Sequence, residues 1–235
     1  RIVAQQLSSW PSAPSMTDFS SRGPNSVAPD IVKPDITAPG IHILAGNSPF
    51  PDVDQVQGQL FQAIAGTSMS SPHVAGLGAL MKELRPDWSP MAIKSALMTT
   101  GYDVLDGGTP APNTNPVLIF RQGAGHVQPN SAADPGLVFD SGYTDWLNFI
   151  CGTQPGSFCS AFTAIDPSNL NVASIAIGDM AGTQTVTRRV TNVGGATATY
   201  TPSYTGMTGF TVTVSPSSLT LAKGETKSFT VAFTR

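Results

Sequence analysis

The 235-residue chain is short of charge: Asp, Glu, Lys and Arg together make up 11% of it, where about a quarter is usual. Twelve basic residues against fifteen acidic ones leave a net charge of −3. No cationic field is therefore available to hold a nucleic acid or an anionic membrane. No apolar run approaches the roughly 18 residues of a membrane-spanning helix, and no signal peptide is recognisable at Arg1. Histidine is scarce, with His42, His73 and His126 widely scattered. A zinc site needs four closely spaced ligands, so neither a metal nor another cofactor is expected. Only two cysteines occur, Cys151 and Cys159 in CGTQPGSFC, and their spacing is not that of a CxxC redox pair. Two readings stay open: a short disulfide loop, which would imply an oxidising, extracytoplasmic compartment, or two free buried thiols.

What the chain does have is 23 glycines, 20 prolines and 40% hydrophobic residues, enough for a real core and too many for a disordered chain. Residues 1–60 read as loops and short strands, because Pro29, Pro34 and Pro39 each hold the preceding residue extended. Ile41-His42-Ile43-Leu44 reads as a buried strand, with His42 a partly buried filler. A first helix follows Gly66-Thr67-Ser68, its apolar stripe being Val74, Leu77, Met81 and Leu84. Pro72 belongs in a first turn, which predicts a start near Ser68 to Ser71. A second helix is marked by Ser89 as N-cap, Pro90 at the first position, Ile93 and Leu97 facing inward, and Gly101 at the end. A third, short helix is expected over 145–150. Beyond residue 168 alternation takes over, at 186–190, 198–200, 210–214 and 229–233, with glycine turns between.

The segment Gly66-Thr67-Ser68-Met69-Ser70-Ser71-Pro72-His73 carries the chemistry. A serine in the first turn of a helix is fixed in place, and its own N–H points out of the helix end, where the dipole favours a developing oxyanion. The same residues also make an ordinary capping arrangement, so local chemistry leaves nucleophile and cap as alternatives. The paired carboxylates Asp52 and Asp54 are too few for calcium. Asp35, His42 and Ser68 have the order of a catalytic triad, but a loop gives such a base no rigid support, and that triad is rejected. His73, about 140° round the helix from Ser68, reads as packed or capping, and His126 as structural. Trp10, Trp88 and Trp146 read as core, Arg22 as holding its own loop, and Arg188-Arg189 as a solvated pair or an ion-pair partner.

GTSMSSPHVAG (66–76) resembles the nucleophile motif of the subtilisin-like serine proteases, the subtilase family. FSSRGPN (19–25) and KPDITAPG (33–40) resemble family segments upstream of it. DWSP (87–90), KSALMTT (94–100), GAGHV (123–127) and ADPGLV (133–138) resemble the plant-type branch. TVTR (185–188) and VTNVG (190–194) resemble the start of its fibronectin-III-like domain. The resemblance implies an α/β fold: the serine-bearing C-terminal part of a subtilisin-like parallel-sheet domain at 1–165, then a partial all-β fibronectin-III-like sandwich at 168–235. It implies Ser68 as the attacking serine, with the Ser68 backbone N–H as one oxyanion donor. The family's aspartate, histidine and oxyanion asparagine precede FSSRGPN, so they are expected outside these residues, and the chain alone is expected to be inactive. A secreted, extracellular serine endopeptidase is implied, whose partners are a protein or peptide substrate and the N-terminal half of the same enzyme, not nucleic acid or membrane. The alternative is a non-catalytic second chain or an interaction module of a processed enzyme. Substrate-binding residues are not identifiable.

Overall fold

A computed structural model describes residues 14–50, 58–105 and 116–235; Trp10 and Asp52-Val53-Asp54 lie outside them. The chain enters through loops into an antiparallel ribbon of β1 (Ile43–Gly46) and β2 (Phe61–Ile64). Helices α1 (Thr67–Leu84), α2 (Pro90–Thr99), α3 (Pro116–Gln122) and α4 (Pro129–Ala132) follow. A two-residue strand β3 (Leu137–Val138) precedes α5 (Tyr143–Thr153) and two 3-10 turns at 157–161 and 167–169. The remainder is strand: β4 (Thr183–Asn192), β5 (Ala198–Tyr200), β6 (Thr211–Ser215), β7 (Leu219–Leu221) and β8 (Thr226–Thr234).

Helix α2 forms where its sequence punctuation puts it. Ser89 Oγ accepts the Ala92 N–H at 3.0 Å and donates to Asp140 Oδ1 at 2.6 Å, while Pro90 occupies a first-turn position whose N–H has no helical partner anyway. Its inward face, Ala92, Ile93, Ala96 and Leu97, forms the core with Met81 of α1, Ala132 of α4 and Val138 of β3. Trp88 packs partly buried against this cluster, with the Arg85 guanidinium 5.5 Å from its ring centroid.

Among the described residues the strands order as β3-β4-β8-β6, with β5-β7 apart, and every named strand pair is antiparallel. Among the described residues, parallel pairing is confined to the bridges Ser15–Leu105 and Thr37–His126. Strand β3 joins the sheet through Leu137 opposite Asn192 and Val138 opposite Thr191, so one sheet draws strands from both regions. In β4, Val186, Arg188, Val190 and Asn192 all point inward and are buried. Arg188 is thus the correction to the solvated-pair reading: only Arg189 is a surface ion-pair partner, to Asp145 Oδ2 at 2.7 Å. Arg188 is 1% exposed and donates to the carbonyls of Val172 (2.9 Å), Ser168 (2.7 Å), Thr187 (2.9 Å) and Ser174 (2.8 Å). Burial pushes the guanidinium down to about 10, which leaves it charged at neutral pH. The carbonyls supply the compensation that a buried cation requires.

Other expectations shift. Ile41 and His42 are exposed, and His42 takes the left-handed φ of 51°, so the strand starts only at Ile43 and is not a buried one. Helix α1 begins at Thr67, which puts Pro72 beyond the first turn. Leu84 is exposed rather than inward, and α5 runs longer than predicted at both ends. Its start is fastened by the Gly142 N–H to Asp145 Oδ2, 2.8 Å. Cys151 and Cys159 are joined as a disulfide, which settles their two readings.

Candidate active site

Ser68 is the second residue of α1, an 18-residue helix whose N-cap, Gly66, offers no side-chain cap. The carbonyl of Gly66 accepts the N–H groups of Met69 (3.0 Å) and Ser70 (3.3 Å). Among the described residues no acceptor meets the Ser68 N–H and no partner meets its hydroxyl, and the side chain is exposed. Capping is therefore not what the Ser68 hydroxyl does here. An unsatisfied N–H at the start of a long helix is where the dipole and the free donor together favour negative charge. A Cβ built on Gly66 would meet only Met69 Sδ at 3.5 Å and Ser68 N at 3.7 Å. Packing within the chain does not demand glycine at this position, so the side facing Ser68 is open to an approaching group.

The turn carrying Ser68 rests on the KPDITAPG loop. The Gly66 N–H donates to Gly40 O at 2.8 Å and Ser70 Oγ donates to Ala38 O at 2.8 Å. Gly40 must be glycine for this approach, since a Cβ there would lie 2.9 Å from Gly66 O and closer still to Ser70 Oγ. The loop is held in turn by the GAGH segment. The Thr37 N–H donates to Gly125 O at 2.8 Å, Val127 N–H to Thr37 O at 3.0 Å, and Ala124 N–H to Asp35 O at 3.0 Å. Gly125, at φ 98°, lies so close to the Tyr102 carbonyl that no side chain fits. Asp35 divides its carboxylate between Lys33 (2.6 Å) and Lys94 of α2 (2.8 Å). Burial opposes its charge, but hydrogen bonds and Coulombic attraction from both lysines outweigh this and hold the carboxyl below its ordinary 3.8.

A cavity of about 760 Å³ opens beside this turn, lined among others by Pro39, Gly40, Thr67, Ser70, Ser71 and Val74. Ser68 lies outside its lining. The other sequence-flagged groups take no part with Ser68. His73 is exposed, its Nδ1–H donating to Met69 O at 2.8 Å. His126 is half-buried, its Nδ1–H donating to Val127 O at 3.0 Å and its ring 5.3 Å from that of Tyr102. The Arg22 guanidinium reaches Asp18 O at 3.5 Å, within its own loop. Trp146 packs edge-on to Phe149. Among the described residues no group of three or more His, Cys, Asp or Glu side chains could hold a metal ion, and no helix is long and apolar enough to cross a membrane. Sequence reasoning overlooked Ser70 and Gly40; the close repetition of small residues at 38–40 and 66–71 was the available signal.

Fold and site define a two-part protein: an α/β portion presenting a serine at a helix start, and a strand-built portion joined to it. Residues 6–137 match the Subtilase family and residues 169–235 match a Fibronectin type-III domain; the chain belongs to the subtilase family. It is 42% identical over 95% of its length to Subtilisin-like protease SBT2.5 of Arabidopsis thaliana, covering 30% of that protein. It is 41% identical over 94% of its length to Subtilisin-like protease SBT1.7 of the same plant, covering 32%. A subtilisin-like protease of Glycine max is 40% identical over 93% of the chain, which covers 30% of it. The chain thus spans about a third of the length of the curated relatives it matches.

Proposed function

We propose that the chain supplies the nucleophile, Ser68, to a secreted serine-type endopeptidase of the plant subtilisin-like kind, and that it has no peptidase activity by itself. The observation that carries this reading is the Ser68 geometry: an exposed hydroxyl without a partner, beside its own free N–H, at the start of an 18-residue helix. Ser68 Oγ attacks the scissile carbonyl of a protein or peptide substrate. The new oxyanion is held by the Ser68 N–H and a side-chain amide, and the departing amine leaves an acyl-enzyme for water to hydrolyse. The histidine that accepts the Ser68 proton, the aspartate that orients it and the oxyanion asparagine come from the N-terminal half of the same enzyme. The described His73 and His126 side chains are already committed to backbone carbonyls, which supports a base from elsewhere.

The exposed apolar surface supports the same division. Leu80 and Leu84 on α1 and Leu44 and Phe61 on the β1–β2 ribbon are more than half exposed, and Cβ atoms at Gly76 and Gly78 would meet nothing within 4 Å. An 18-residue helix with glycine positions open to close approach is suited to packing against the parallel sheet of a subtilisin-like domain. On this reading residues 1–165 are the C-terminal part of that domain and 168–235 the fibronectin-III-like part. The disulfide fits an extracellular location.

The test is labelling of the whole enzyme with a fluorophosphonate probe. Wild type should label at one serine, and Ser68→Ala should remove labelling and lower peptide hydrolysis by at least about 10⁴-fold. Retained labelling in Ser68→Ala would show that another residue is the nucleophile.

A further inference from the structure

Besides the Met69 and Ser70 N–H groups on Gly66 O, the first turn of α1 is held from outside the helix. Gly66 provides no capping side chain. Pro72 lacks the N–H that would bond the Ser68 carbonyl, so the helical ladder is broken at the residue whose placement matters most. Two bonds to the KPDITAPG loop fasten this turn, one on each side of Ser68 and each two residues from it. One is Gly66 N–H to Gly40 O, 2.8 Å; the other is Ser70 Oγ to Ala38 O, 2.8 Å. A helical serine can return its hydroxyl to the carbonyl three or four residues back, here Thr67 O or Gly66 O, the latter already accepting two N–H groups. Ser70 instead reaches a carbonyl 32 residues away. The loop is pinned by Asp35 to Lys94 of α2 and by Thr37 to Gly125, so the fastening is to a fixed object.

We propose that Ser70 is a positioning residue for the reaction: its hydroxyl, bonded to Ala38 O and packed against Gly40, sets where Ser68 Oγ stands relative to the base and the substrate carbonyl. This rests on Ser68 being the nucleophile. Ser70 does not touch the reacting atoms in this role. Its loss lets the first turn move, and a displacement of about 1 Å at a reacting centre costs on the order of 100-fold in rate. Substrate binding, made by other surfaces, is left in place.

The experiment uses the full-length enzyme, with Ser68→Ala, Ser70→Ala, Ser70→Thr and Gly40→Ala compared by peptide hydrolysis, fluorophosphonate labelling rate and melting temperature. Ser70→Ala should lower kcat and the labelling rate about 10–100-fold while KM changes less than about twofold and the enzyme still melts cooperatively. Ser70→Thr keeps the hydroxyl and should recover most of kcat. Gly40→Ala pushes on Ser70 from the loop side and should reproduce the Ser70→Ala defect. Should Ser70→Ala not fold, Ser70→Cys, close in size and a weaker donor, carries the test with an intermediate kcat. Unchanged kcat in Ser70→Ala or its cysteine stand-in, or a fall in kcat matched by an equal rise in KM, would overturn the proposal. Labelling that survives Ser68→Ala overturns the nucleophile reading instead, and it is scored independently of any Ser70 variant.

Discussion

Helices α1 and α2 lie side by side in the chain and could hardly be used more differently. Six of the ten residues of α2 are buried, whereas α1, with 18 residues, buries only Met81. Both carry an apolar stripe at helical spacing, so periodicity does not separate them. The difference lies in what each packs on: α2 is enclosed by α1, α4 and β3, while Leu80 of α1 is 62% exposed. Helix α2 bears no chemistry and is finished within the chain. Helix α1 bears Ser68 and leaves apolar surface at Leu80 and Leu84 exposed. The sheet β3-β4-β8-β6 sides with α2, since even its one buried cation is satisfied by carbonyls of the same chain.

The comparison can be broken first at Arg188. Arg188→Met removes the donors for the carbonyls of Ser168, Val172 and Ser174, and should cost about 3–5 kcal/mol of unfolding free energy from several orphaned buried acceptors. Denaturant titration of the chain measures it, and a loss below about 1 kcal/mol would mean the carbonyls find water or new partners. A leucine pair sharpens the contrast directly. Leu97, 4% exposed on α2, should cost about 2–5 kcal/mol as Leu97→Ala. Leu80→Ala should stay within about 0.5 kcal/mol in this chain and, on the proposal that the rest of the enzyme packs on α1, rise to about 2 kcal/mol or more in the whole protein. Equal, small effects in both settings would mean that nothing packs on α1.

The smallest effect concerns Asp35. Its carboxyl is held below 3.8 in the folded chain, so the folded state binds fewer protons than the unfolded one in that acid range. Its stabilising contribution is therefore full above the usual carboxylate range and is lost as the pH falls through the depressed value. Because Asp35 and both lysines remain partly exposed, the effect is about 0.5–1 kcal/mol. Asp35→Asn should lower the melting temperature slightly at pH 7, and the difference from wild type should shrink as the pH falls below the usual carboxylate range. A difference that does not shrink with falling pH would assign the loss to shape rather than charge.

Much of this could be read from residues alone. Ser89-Pro90 announced α2, and the alternation of valines and phenylalanines with threonines announced β4, β6 and β8, because both signals are local. The inward parity of Arg188 was legible too, in the same alternation as Val186 and Val190. It was misread because its compensation, carbonyls from 168–174, is tertiary and leaves no trace in the pattern. Helix α3, with seven residues, is too short for periodicity to declare it. His42 was misjudged because nothing nearby signals a left-handed backbone at a non-glycine residue. At the site, GTS drew attention to Ser68, while the contact of Ser70 with Ala38 and Gly40 joins segments about thirty residues apart and required the fold.

The most direct test of the account is fluorophosphonate labelling of the 235-residue chain alone and again after adding the N-terminal half of the enzyme, with Ser68→Ala as control. No labelling alone, restored by the added half and absent in Ser68→Ala, is the expected result. Strong labelling of Ser68 by the isolated chain would mean that a base within these residues activates it, and would contradict the claim that the chain supplies a nucleophile and takes its base from elsewhere.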